Sequence, residues 1–231
     1  MNSSRRRTRR GVMGIEAAIV MIAFVIVAAA LAFVVLNMGF STTQKSKTAI
    51  ISSYTEASSA LEIAGKVTGI GDVSTGVLNA TVIPLKIAGG GISVSLNPNE
   101  TSVAYYSNTV RYDNIYGNKC VLTSATYQNV TGALDAADTA GCIDKVPITG
   151  STKTVGAPTT TQAVLYWDVS NTPINDILDS GEHANLAIVY KSGDRPGELD
   201  NIKAEIIVPT GSALTVERQI PSVTTNIVDL G

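Results

Sequence analysis

From Ala17 to Leu36 the chain runs for 20 residues without a charge or a strong hydrogen-bonding side chain, and five arginines (Arg5, Arg6, Arg7, Arg9 and Arg10) stand just ahead of it. As an α-helix at about 1.5 Å per residue the run covers roughly 30 Å, the hydrocarbon thickness of a bilayer. The arginines stay cytoplasmic by the positive-inside rule, so the rest of the chain is placed outside. Three readings compete. A secretory signal has an apolar region of about 7–15 residues followed by a small-residue cleavage site, and this run is too long for that. A permanent single-span anchor fits the length. The third reading, removal of the basic leader, depends on the residues between the arginines and the run.

Residue types are segregated along the chain. All four Met and all three Phe lie within residues 1–40, while all eight Tyr and the single Trp follow residue 50. Two physically different polymers are joined end to end. Averages over the whole chain still exclude several classes. The charged fraction of 16% is below the roughly 25% of soluble domains, yet 45% hydrophobic residues are too many for a disordered chain. Two Cys and one His cannot build a zinc scaffold or a disulfide-dense mini-domain. A net charge of −2 argues against nucleic acid as a partner.

The junction reads Arg9-Arg10-Gly11-Val12-Met13-Gly14-Ile15-Glu16-Ala17, and the apolar run leaves through Asn37-Met38-Gly39-Phe40-Ser41-Thr42-Thr43-Gln44-Lys45. Here the sequence resembles the archaeal flagellins (archaellins) and, more broadly, the type IV pilin-like superfamily with its class III signal peptide. The resemblance implies a membrane peptidase of prepilin-peptidase type cutting between Gly11 and Val12. Residues 1–11 are then a cleaved basic leader, Gly14 becomes the third residue and Glu16 the fifth. Many pilin-like subunits carry an acid at that fifth position, although members vary. Five departing arginines take the side-chain charge from −2 to −7 and leave a new amine about one helical turn from Glu16. A carboxylate in hydrocarbon seeks a partner or a proton. The neighbouring subunit's terminal ammonium is one such partner and would set an axial register. The other reading of Glu16 is a residue at the headgroup boundary with no specific role.

Helical patterning continues past the apolar run. Ile50, Tyr54, Ala57, Leu61 and Ala64 recur in steps of four and three, a stripe suited to packing against other helices. With Gly65 as a stop, one helix is expected over residues 12–65, forming a filament core. Small residues such as Ala17, Ala23 and Ala28–Ala30 let such helices approach closely.

From residue 72 to 231 the sequence turns β-rich and Thr-rich. Strands are expected at Val77–Ile83, Leu85–Ile87, Ile92–Leu96, Val103–Tyr106, Val164–Val169, Ala184–Tyr190, Asn201–Val208 and Ala213–Arg218. Turn residues recur about every ten positions, which predicts an antiparallel β-sandwich of immunoglobulin-like type and an α+β chain overall. The acidic stretch Asp176–Glu182 and the ending Val208–Pro221 also resemble archaellins. Residues 107–160 show little to align and are expected to form a variable, outward-facing part.

No catalytic constellation emerges. His183 reads as a solvated histidine, and Gly89-Gly90-Gly91 lacks the Lys-Ser/Thr and helix of a phosphate loop. Asp135, Asp138 and Asp144, or Asp176, Asp179 and Glu182, have the chemistry for calcium without its loop spacing, so neither metal nor cofactor is expected. Cys120 and Cys142 lie outside the membrane, where a bond between them can persist, with two unpaired thiols as the alternative. Asn79, Asn99 and Asn129 open Asn-x-Ser/Thr sequons, which N-glycans occupy or which arise by chance in Thr-rich sequence. The resemblance completes the picture. It implies a homopolymer of identical subunits, membrane residence only as a precursor, a separate membrane motor, and an extracellular filament on the cell surface. An adhesive type IV pilin and a monomeric membrane-anchored binding module are the rivals.

Overall fold

The computed structural model describes residues 6–58 and 61–231; the leader's first five residues and positions 59–60 lie outside the described residues. The chain divides into two compact units, Met1–Ser53 and Tyr54–Gly231.

Helix α1 (Arg6–Ser58) is a single run of 53 residues, about 80 Å at 1.5 Å per residue. No proline interrupts it, and a helix satisfies its backbone groups internally, as hydrocarbon requires. In its polar stretch the hydroxyls of Thr43 and Thr48 donate to the carbonyls of Gly39 and Gln44 (2.8 and 3.0 Å), so they too are satisfied within the helix. The helix stops earlier than the four-three stripe predicts. Strand β1 (Leu61–Ile63) pairs antiparallel with a later strand, matching Leu61 to Ile87 and Ile63 to Leu85. The residues of the stripe's C-terminal end therefore belong to the β unit, which begins by residue 61 rather than at 72. Leu61 and Ile63 also satisfy a period of two, and Leu61 becomes buried in the β core.

The β unit continues with β2 (Thr68–Asp72), β3 (Val77–Ile87), β4 (Val94–Ser95), β5 (Ser102–Ser107), β6 (Arg111–Tyr112) and β7 (Tyr116–Thr126). Helix α2 (Val130–Ala140) precedes β8 (Gln162–Val169), β9 (Ile177–Leu178), β10 (His183–Val189), β11 (Asn201–Ile207), β12 (Leu214–Gln219) and β13 (Ile227–Asp229). One seven-stranded sheet runs β13-β2-β3-β10-β8-β7, with β1 also on β3. A four-stranded sheet runs β12-β11-β5-β6, and β4 pairs with β9. One core joins the sheets. Tyr105 of β5 meets Tyr190, which follows β10, at 5.4 Å between ring centroids, and the Tyr190 hydroxyl donates to Thr81 of β3 at 2.9 Å. Burial pushes the Tyr190 phenol up to about 12, so it stays a neutral donor.

The antiparallel expectation holds for every pairing of named strands except β7 with β8, which is parallel. Parallel neighbours need a crossover of a dozen or more residues, usually with a helix, and α2 supplies it. Residues 107–160 thus hold structure the expectation did not assign. Ile115, Tyr116, Leu122, Leu134 and Val146 are all buried. The two strands expected at 77–83 and 85–87 are one strand, β3, with Pro84 inside it. The Pro84 carbonyl accepts from the Ala64 amide at 2.8 Å, beyond the end of the β1–β3 ladder, so the missing proline N–H costs at most the return bond of that terminal pair.

Gly69 and Gly71 lie in β2. A Cβ on Gly71 would come within 2.5 Å of Val223 Cγ1 and 2.8 Å of the Thr225 carbonyl. The C-terminal segment fits over β2 because that side chain is missing.

Candidate assembly surface

Helix α1 carries the feature that demands a function. Within Gly14–Tyr54 mean hydropathy reaches 3.3 over an 18-residue window, and none of that window is covered by the chain. Phe24, Phe33 and Phe40 are 72%, 68% and 63% exposed. A monomer in water rarely shows even a few hundred Å² of contiguous apolar surface. This helix must be covered by lipid or by other copies.

The residues singled out for assembly lie on it. Gly11 and Val12 fall within helical backbone. Gly14 has open space where a Cβ would stand, so no contact within this chain requires glycine there. Glu16 is exposed, and among the described residues it has no ion-pair partner in its own chain. Ile50 and Tyr54 continue the exposed apolar surface toward the β unit.

Cys120 and Cys142 are joined as a disulfide, with Cα atoms 5.0 Å apart, linking β7 to the residue after the C-cap of α2. The sequons differ in access. Asn99 is exposed in the turn before β5. Asn129 is exposed as the N-cap of α2, where its Oδ1 accepts from the Gly132 amide at 2.7 Å. Asn79 is buried in β3 at 8% exposure, and a glycan has no room on a side chain so enclosed.

Five of the six acidic groups considered for calcium, all but Asp138, accept from protein donors. Glu182, 4% exposed, accepts from Ser170 Oγ (3.0 Å) and from the amides of Asn171 (2.7 Å) and Asp179 (2.9 Å). Asp176 accepts from Asn97, Asp179 from Ser93, and Asp144 from the Thr159 amide. Asp135 accepts from Ser151 and Thr152, and the Ser151 hydroxyl holds its carboxyl below the usual carboxylate range. Among the described residues no three acidic, His or Cys side chains converge as a metal site. His183 is exposed at the start of β10.

Sequence reasoning missed the C-terminal clasp. Strand β13 pairs with β2, the Leu230 amide and Gly231 carbonyl bond to Val67, and Lys66 pairs with Asp229. The alternation Val228–Leu230 was its only sequence signal. Sequence reasoning also missed a cleft of about 720 Å³ between β2, β13, the start of α2 and the loop 147–156. No local pattern announces that cleft.

A membrane-length apolar helix that its own chain leaves bare, followed by a β unit with its own core, defines a protein that is anchored or assembled through that helix. The archaeal-type flagellin family profile matches residues 11–218, and the chain belongs to that family. A probable flagellin 1 of Aeropyrum pernix is 37% identical over 216 residues, 94% of each chain. The fold is similar to a subunit of the archaeal flagellum of Methanospirillum hungatei, with a TM-score of 0.58, 23% identity, and 94% and 99% of the two chains covered. It is also similar to crystalline flagellin FlaB1 of Methanocaldococcus jannaschii, with a TM-score of 0.55, 13% identity, and 74% and 96% coverage. As a flagellin the chain is a structural subunit of the extracellular archaeal flagellar filament.

Proposed function

We propose that this chain polymerises through α1 once its basic leader has been cut between Gly11 and Val12, and that it works by assembly alone, without catalysis or a cofactor. The observation that carries this reading is the uncovered apolar surface of Gly14–Tyr54. Exchanging lipid contacts for helix contacts is nearly neutral per apolar atom, so close packing must supply the net drive. The small residues Ala17, Ala18, Ala23, Ala28, Ala29, Ala30 and Ala32 suit that approach.

The arginines oppose assembly while they remain, because a cluster of cations at one end of the helix keeps it anchored at the cytoplasmic surface. Cleavage removes that anchor. The new ammonium of one subunit then pairs with Glu16 of another and fixes the axial register. A prepilin-peptidase-like enzyme performs the cut, and a separate membrane motor inserts subunits and turns the filament for swimming. N-glycans on the exposed Asn99 and Asn129 complete the outer surface.

N-terminal sequencing of filaments sheared from native cells tests the reading, with Val12 as the expected first residue. Filaments whose subunits begin ahead of Gly11 refute it, as does native material that stays monomeric and lipid-bound.

A further inference from the structure

Two ammonium groups interrupt the apolar surface of α1. Lys45 and Lys47 are exposed between Phe40 on one side and Ile50 and Ile51 on the other, all three of them exposed as well. Covering the helix on both sides of the lysines draws them into the interface. A cation taken out of water is costly unless a carboxylate meets it. The helix itself offers none within reach. Its only acidic residues are Glu16 and Glu56, nine or more positions away, whereas helical side chains meet at spacings of three and four. Neither lysine forms an ion pair with any described residue of its own chain.

The β unit has carboxylates in excess. Residues 61–231 hold 17 Asp+Glu against 10 Lys+Arg. Part of that excess gathers at one end of the large sheet. Leu61 pairs with Ile87, Leu85 with Ala184 and His183 with Val169, so β1 and β10 start where β3 and β8 finish. The loop from Val169 to His183 brings Asp176 and Asp179 to that end, and Asn97, bonded to Asp176, brings Glu100. Each carboxylate is held through one oxygen: Asp176 Oδ2 by Asn97, Asp179 Oδ1 by Ser93 and Glu100 Oε2 by Ser95. None of the three has an ion-pair partner among the described residues. Lys86, on β3 at the same end, is already paired with Glu62 at 3.7 Å.

We propose that Lys45 and Lys47 of one copy dock on Glu100, Asp176 and Asp179 of a second copy, tying the helix of one subunit to the β unit of another. This rests on the reading that α1 assembles. The occupant is a second copy because a filament subunit is surrounded by its own kind and because the lysines require an anionic partner. The contact also does what apolar packing cannot. Residues 17–44 carry no charge, and one apolar side chain covers another about equally well at several axial offsets. A charge pair admits one offset, so the lysines fix the register at the outer end of the helix.

The test treats filaments sheared from the native host with a water-soluble carbodiimide, which joins amines to carboxylates in direct contact. Chains coupled into dimers and longer ladders are expected. Mass spectrometry should find peptides containing Lys45 or Lys47 joined to peptides containing Glu100, Asp176 or Asp179. Variants in the same host decide the matter if the reagent does not reach the pair. Lys45→Glu with Lys47→Glu is expected to lower filament yield about a hundredfold, the effect of unpaired charge in an interface. Adding Glu100→Lys and Asp176→Lys to that chain is expected to restore assembly. Coupling confined to single chains, or directed to other carboxylates, overturns the proposal. Normal assembly of the reversed-lysine chain overturns it too, as does failure of the added reversal to restore filaments while the β unit still resists protease. The assembly reading survives each of these, since wild-type filaments stand; a wild-type chain that forms none overturns both.

Discussion

Single residues act here through what surrounds them. Asn129 caps α2 by accepting the Gly132 amide at 2.7 Å. Asn129→Ala leaves that donor bare and is expected to cost about 1 kcal/mol, while Asn129→Asp in unglycosylated recombinant protein costs little. Urea unfolding of the two variants distinguishes them. Gly71 is set by a contact rather than a turn, since its missing side chain makes room for Val223 and Thr225. Gly71→Ala overpacks that contact, and a loss of about 1–3 kcal/mol is expected. The damage should show as faster amide exchange in β13, ahead of global unfolding.

Elements of secondary structure are held by links that neither element could specify. Lys66 and Asp229 tie the start of the β unit to its C-terminal strand. The Lys66 hydrogen bond and charge, with the Gly231 amide, hold the Asp229 carboxyl below its usual range, and the Lys66 ammonium is raised by the same pair. For the depressed carboxylate, the stabilisation is fully present above the ordinary pKa of about 3.9 and is lost as pH falls through the lower folded value. For the raised ammonium it is present below about 10.4 and lost at higher pH. The protection of β13 amides, measured relative to their unfolded exchange rate at each pH, should therefore fall at both extremes, and Asp229→Asn should remove the acid limb. Both groups are exposed, so high salt weakens the effect. The disulfide is a second link. It joins positions 22 apart, and its reduction is expected to lower stability by about 3 kcal/mol in the chain-entropy picture, measurable by denaturant unfolding with and without reductant.

At the scale of the whole molecule the two units obey different solvents. Residues 54–231 form a compact unit with its own core and are expected to fold as a soluble monomer once residues 1–53 are removed. Scattering and a cooperative melt check this. The helix has no core of its own. Ala28→Arg places a charge near the middle of its apolar stretch, at roughly 2.5–3.5 kcal/mol for membrane insertion. The variant is expected to abolish filaments, as seen by electron microscopy, while leaving the β unit folded.

Much of this was legible in the sequence, for a physical reason. A span of apolar residues interacts with its solvent one residue at a time, so Ala17–Leu36 declares a membrane-length helix whatever follows it. Strands β11 and β12 are similarly local, because a period of two is written in consecutive side chains, while β3, β5, β8 and β10 show as short, largely buried runs between turn residues. The chain by itself therefore determined the long helix, the β unit and the family. Only the tertiary structure decided the rest. Leu61 reads equally well as helix or strand, and its pairing with Ile87 settles the matter. The parallel β7, the burial of Asn79, the fit of Gly71 under Val223 and the cleft beside α2 each depend on residues far apart in sequence. Such contacts leave no periodic trace, because their energies arise only when distant segments are brought together.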